Sequence, residues 1–452
     1  MNVFTVAAIL MLPLVALWWE SAMLTPLVVT SISLTPVLLG YVELDALNGT
    51  NTAPMYCVAA GLLLVGYLVH QSWNRLRTSP APALHMDSLS RQSAPGVIVF
   101  SSLVVILTFY HFLVSGVPLL SDDVETARFD FTSSGLFGIP GRMFLFGLPF
   151  TVLLVSSAAF RKLAPISRQL LYFVWLSYIA TSLLGGFKGG LVAVLTIVLL
   201  ARSAVGRPLS LRRAVVGWRL FVIIAALLYC AGISFRYRSL GLTSPGDVIP
   251  YLAGRVTTSA AAPGYLVFSR YGMDGTGGAH YAQDANYFLR KYLPFVFSDD
   301  GVTLPFDKTI SVALYHTPIS GRTFIVPVTV GAFPELVSNI GVGAAMIGMF
   351  LVGAFISYFL SRSQRSRGAF QSALFALTVN LLQIYILNGN LIYTCFNLVF
   401  VGLLLFGLYC ACHISWIFSR YASANGLHPA VLGPQTQRRT APANTAWKVR
   451  GN

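Results

Sequence analysis

Eleven apolar runs, each near the length that crosses a bilayer, decide what this chain can fold into. A membrane helix needs about 20 predominantly apolar residues, and runs of that kind fall at 3–19, 22–42, 54–72, 97–116, 143–160, 170–187, 189–203, 219–235, 335–360, 369–388 and 391–414. With 56% hydrophobic and only 10% charged residues, a water-soluble domain is excluded. The expectation is an all-α polytopic integral membrane protein with about 11 helices. Prolines at 13, 26 and 36 blur the first boundaries, and bilayer helices tolerate them. The first run lacks a basic n-region and a small-residue cleavage site, so it is expected to stay as a helix. Five cysteines, Cys57, Cys230, Cys395, Cys410 and Cys412, all fall in apolar segments and indicate no disulfide framework. Cys410, Cys412 and His413 are better read as one turn of a membrane helix than as metal ligands, because no second ligand cluster accompanies them.

The net charge of +15 takes its meaning from where the cations fall, not from a nucleic-acid-binding face. One set of connections, with the tail, carries 19 of the 30 basic residues, among them Arg75, Arg77, Arg161, Arg202, Arg212, Arg213, Arg362 and Arg365, against only Glu20 and Asp87. Lys and Arg collect on the cytoplasmic side, so these connections and the C-terminus are expected inside and the alternate loops outside. The chain then divides into helices 1–8 over 1–235 with an external loop at 115–142, a large external loop at 236–334 with short helices, helices 9–11 over 335–414, and a disordered basic tail at 415–452. Asn48-Gly49-Thr50 matches a glycosylation triplet by letter and carries little weight.

The chemistry is expected at the outer face. The apolar runs hold almost no ionisable groups, whereas ion-coupled carriers need them inside the bundle. His111, alone in its helix, reads as a hydrogen-bonded packing residue. Outside, the large loop carries Arg236, Arg238, Arg255, Arg270, Arg290, Lys291, Lys308 and Arg322, and Arg128, Arg142 and Lys188 join them from two shorter loops. Guanidinium forks bind phosphate oxygens bidentately and stay charged at any pH; the competing reading is surface pairing with the loop's six aspartates. Lys188, between Gly185-Gly186-Phe187 and Gly189-Gly190, suggests a cationic pocket or a snorkelling interfacial lysine. Tyr281, Ala285, Phe288, Tyr292 and Phe295 share a helical stripe, which suits a helix in the interface plane or the core of a loop subdomain. Asp122-Asp123 and Asp299-Asp300 leave a metal-dependent alternative open; the preferred reading has no metal and no cofactor.

These pieces, in this order, resemble the bacterial oligosaccharide repeat-unit polymerases of the O-antigen polymerase type, relatives of the O-antigen ligases. The resemblance covers roughly residues 97–360 and rests on a pattern. Its parts are Gly116-Val117-Pro118-Leu119-Leu120 with a following acid cluster and Arg128, the Gly186-Phe187-Lys188-Gly189 turn, and the run from Thr329 through Glu335, Asn339, Gly341 and Gly343 into a helix with Gly348 and Gly353. Arg290 to Gly301 also fits the family's Arg-x10-Gly spacing. The resemblance implies a GT-C-like membrane glycosyltransferase in the bacterial inner membrane. It would transfer a growing glycan from undecaprenyl diphosphate to the next lipid-linked repeat unit. Membrane lipids and a chain-length regulator would be its partners, and no nucleic acid. Lys188, Arg255, Arg290, Arg322 and Arg128 are then the expected diphosphate-binding residues, and His316, Asp284 and Glu335 the candidates for the general base. A ligase using a lipid A–core acceptor, or a flippase or transporter without catalysis, are the competing functions.

Overall fold

The computed structural model describes residues 3–77, 94–133, 139–161, 167–187, 190–216, 224–225, 227–229, 232, 244–292, 304–315, 328–366 and 368–424. Helices dominate, beginning with α1 (Val3–Trp19), α2 (Pro26–Asn48), α3 (Ala53–Arg77), α4 (Ala94–Ser115), α5 (Val124–Ser133), α6 (Ile139–Phe160), α7 (Arg168–Leu184) and α8 (Gly190–Ala204). Four shorter helices follow, α9 (Pro245–Val256), α10 (Thr258–Tyr271), α11 (Ala279–Tyr292) and α12 (Phe306–Tyr315), and then α13 (Ala332–Arg365), α14 (Ala369–Asn388) and α15 (Leu391–Ala424). Seven of the helices among the described residues are long and apolar enough to cross a membrane, and Val3–Trp19 and Gly190–Ala204 are shorter apolar helices. The chain is therefore a helical, multi-pass membrane protein. The expected span at 219–235 lies largely outside the described residues.

Boundaries moved where polar residues sit inside the bundle. The second span runs to Asn48 instead of ending at 42, because Asp45 is kept inside the helix by its own partners. Its Oδ1 accepts from Thr50 Oγ1 at 2.6 Å and Thr52 Oγ1 at 2.7 Å, and its Oδ2 from Ala53 N at 2.6 Å. That one carboxylate ties the end of α2 to the start of α3. Asn48-Gly49-Thr50 is thus a helix-to-helix turn, with Gly49 at φ 66° closing α2.

The central contact is the crossing of α3 and α13. A Cβ on Gly66 would overlap the Phe350 carbonyl, and one on Gly353 would overlap the Leu63 carbonyl. The two backbones touch, which is how membrane helices associate when water supplies no driving force between them. Hydrogen bonds also gather the basic residues at one end. Arg161 Nη1 and Nη2 donate to Ser363 O at 3.0 Å and Ser366 O at 2.6 Å, and Gln364 Nε2 donates to Ser203 O at 2.8 Å. A two-residue antiparallel pairing, Met23 with Ser210 and Leu24 with Leu209, ties the α1–α2 link to the same end. The shorter helices α9–α12 lie toward the opposite end. There α10 packs on α2 and α13, burying Ala261 and Phe268.

Candidate functional site

The site is built around a break in α13. Gly341 has φ 77° and ψ 164°, a conformation open to glycine, so the helix stops after Ile340 and restarts. The loop before α11 satisfies the broken ends. Thr276 N donates to Ser338 O at 2.8 Å, Gly278 N to Asn339 O at 2.9 Å, and Val342 N to Met273 O at 3.0 Å. Residues 332–339 are all buried, so this half-helix lies within protein on every side.

Two of its polar side chains lock it to two other helices through their N-termini, and a third, on α11, does the same for α12; backbone N–H groups there lack intrahelical acceptors. Asn339 Oδ1 accepts from Tyr281 N in the first turn of α11 at 3.0 Å. Glu335 Oε1 accepts from Leu391 N, the first residue of α15, at 2.8 Å. Asp284 of α11 accepts from Phe306 N, the first residue of α12, at 2.7 Å. Asp284 and Glu335 are each only 1% exposed. Each of them uses one oxygen as a helix anchor.

What remains is a buried, incompletely satisfied polar cluster. Glu335 Oε2 has no hydrogen-bond partner, and neither do the hydroxyls of Tyr281 and Tyr385 or Nε2 of His280. The phenols of Tyr281 and Tyr385 approach one another without a well-formed bond between them. His280 stacks on Phe306, ring centroids 4.1 Å apart, and burial lowers its pKa. Electrostatic coupling runs among Asp284, Asp307 and Glu335. Burial, only partly offset by the Phe306 N–H and reinforced by Asp307, raises the pKa of Asp284 to about 7. Burial also raises Asp307, whose Oδ1 accepts from Lys308 N at 2.7 Å. A carboxyl that titrates near neutrality can take or give a proton at working pH. Among the described residues, no three His, Cys, Asp or Glu side chains converge as a metal-ion site.

A buried cation flanks this cluster. Arg142, 4% exposed, stands just before the π-helical turn Met143–Gly147 in α6, a distortion that recurs at functional sites. Its Nε donates to Asn397 Oδ1 at 3.0 Å, and its guanidinium lies 5.5 Å from the ring centres of both Phe396 and Phe400. Asn397 is six residues beyond Leu391, about 9 Å along α15. The apolar helices therefore carry buried Arg142 and Asp45, which the expected runs left outside, as well as Glu335, which sequence places at a helix end. The helix expected from 143 left Arg142 outside.

Of the residues expected to bind diphosphate, Arg290 lies half-buried on α11, the helix of Asp284, with its Nε held by Asn286 Oδ1 at 2.8 Å. Arg128 of α5 lies over Phe129 at 4.4 Å and over Phe187 at 5.6 Å, so the second loop and the glycine turn do meet. Arg255 is exposed in the last turn of α9. Lys188, His316 and Arg322 lie outside the described residues. The aromatic stripe on α11 turns inward at Phe288, which packs on Tyr393 and Phe396 of α15. His111 donates from Nε2 to Phe131 O at 2.7 Å, the packing role expected of it. No family profile, curated protein or solved structure matches the chain.

Proposed function

We propose that this protein is a membrane glycosyltransferase that polymerises lipid-linked oligosaccharide repeat units at the periplasmic face of the bacterial inner membrane. The observation that carries the reading is the pairing on α11 of a neutral-titrating buried carboxyl, Asp284, with the cations Arg290 and Lys291. Such a helix supplies the two things the transfer needs. A hydroxyl of the acceptor sugar gives its proton to a carboxylate and attacks the anomeric carbon of the donor. The bond from that carbon to the diphosphate oxygen breaks, and the diphosphate leaves with the electron pair, its charge met by arginine. Asp284 and Glu335 are the candidate bases, and Arg290, Arg128, Arg255 and, from the sequence, Lys188 and Arg322 the candidate diphosphate ligands. His316 stays a candidate base on the sequence alone.

The test is a gel profile of surface polysaccharide from a deletion strain complemented with wild type or with Lys188→Ala plus Arg290→Ala. Collapse of a ladder to single-repeat product, rescued only by wild type, is the expected result. Retention of long lipid-linked chains that are not attached to lipid A–core would indicate a ligase instead. An unchanged ladder would reject the glycan reading altogether.

A carrier is the second reading, favoured by one observation: a carboxylate buried beside a break in a membrane helix is a feature of secondary transporters. Purified protein in liposomes with labelled lipid-linked repeats separates the two. A polymerase lengthens the glycan without an ion gradient, and a carrier moves substrate without lengthening it.

A further inference from the structure

The basic end of the bundle holds a cavity of 270 Å³ that the proposed reaction does not use. It lies between the α1–α2 link, α3, the end of α8 and α13. Along α13, Arg365 is thirty residues from Glu335, about 45 Å of helix, so this cavity and the acid cluster are separate.

The walls are polar and held in place. Trp19 Nε1 donates to Gln71 Oε1 at 2.6 Å, and Gln71 Nε2 donates to Glu20 Oε1 at 3.0 Å. Asn74 Nδ2 donates to Ser361 Oγ at 3.2 Å across the α3–α13 seam. Arg75 and Arg365 both line the cavity against a single acid, Glu20. Glu20 is engaged by Gln71 and lies within the field of Arg75, whose guanidinium is 5.9 Å from the centre of the Trp19 ring. Ser203, also on the wall, is 1% exposed, and its Oγ has no hydrogen-bond partner.

The backbone at the rim is strained in the same place. Ser21 and Ala22 have φ of 51° and 58°, a left-handed conformation that non-glycine residues seldom adopt and that surrounding structure must hold. Here the holding contacts are the Met23–Ser210 pairing and a 2.8 Å bond from Leu211 N to Ala22 O. Glu20 and Thr25, on either side of this link, line the cavity.

We infer that this cavity is a second binding site, one that takes a phosphate ester of net negative charge between Arg75 and Arg365. Two guanidiniums line the cavity beside one carboxylate that Gln71 already engages, an excess of positive charge that favours an anion, and guanidinium forks match phosphate oxygens. The volume suits a phosphate with a group of glycerol size. Two sources carry that chemistry, the headgroup of an anionic phospholipid and a soluble phosphate ester.

The experiment is thermal unfolding of the full-length protein, delipidated in a neutral detergent, with three probes. They are dihexanoylphosphatidylglycerol, sn-glycerol 3-phosphate and, as the zwitterionic control, dihexanoylphosphatidylcholine. A saturable rise in Tm with phosphatidylglycerol alone assigns a lipid headgroup, and a rise with glycerol phosphate as well assigns the phosphate ester in general. In both cases Arg75→Ala or Arg365→Ala is expected to weaken the half-saturating concentration about tenfold or more, the equivalent of one charge-assisted hydrogen bond. Ser203→Leu fills the cavity while leaving every charge in place, and it is expected to remove the response even if an arginine variant is too unstable to purify. The proposal is overturned if neither anionic probe raises Tm, if the zwitterionic phosphatidylcholine acts as strongly as phosphatidylglycerol, or if Ser203→Leu responds like wild type.

Discussion

The sharpest test of the acid cluster is Asp284→Asn, because stability and function should move in opposite directions. The carboxyl of Asp284 is 1% exposed, and burial raises its pKa from 3.8 to about 7. The folded chain therefore binds this proton more tightly than the unfolded chain. Folding takes up a proton between these two pKa values, and stability falls as the pH climbs through that window. At about 1.36 kcal/mol per pH unit, the cost reaches an upper limit of about 4 kcal/mol above pH 7. Asparagine cannot ionise, and its amide oxygen can still accept from Phe306 N. Melting curves of purified wild type and Asp284→Asn from pH 5 to pH 8 should diverge, the variant gaining up to about 3 kcal/mol over that range, or a few degrees in Tm. Effects common to both proteins, such as titration of His280, largely cancel in the difference. In the complementation assay the same variant should lose the polysaccharide ladder, since an amide takes up no proton. A gap that stays constant with pH would show that Asp284 titrates normally and would refute the reasoning. A narrowing gap would reverse its sign.

Two further substitutions probe the same region. Glu335→Ala strips the acceptor from Leu391 N at the start of α15 and should cost about 1–3 kcal/mol in thermal or denaturant unfolding; Glu335→Gln should keep most of that stability, and activity in the glutamine variant would remove Glu335 from the list of bases. Arg142→Lys keeps the charge but loses the planar fork over Phe396 and Phe400 and the bond to Asn397, with an expected loss of about 2 kcal/mol; unfolding indistinguishable from wild type would mean that the π-helical turn does not depend on the guanidinium.

The membrane fold was legible because its signal is local. A run such as 369–388 contains everything needed to specify a span, and α14 covers those residues. The site was legible only where a residue type announced itself. Glu335, Asn339 and Gly341 stood out in sequence as a pattern, but their work is done at a distance: Glu335 anchors Leu391, Asn339 caps α11 at Tyr281, and Gly341 admits the 273–278 loop into the broken helix. Partners more than fifty residues away leave no trace in spacing. The burial of Arg142, which sequence places among the outer-face cations, was missed for a related reason. The residue stands at the edge of an apolar run, where an outward-facing arginine is the ordinary expectation, and its burial depends on Asn397 and two phenylalanines of α15. One signal was available, since asparagine within the apolar run 391–414 is uncommon and needs a partner. The lesson extends to Asp284, whose acid–base character comes from being roofed by α12 and neighboured by Asp307, both set by folding of the loop. Residue type supplied the candidates; burial, which only the assembled helices create, gives one of them a pKa near neutrality.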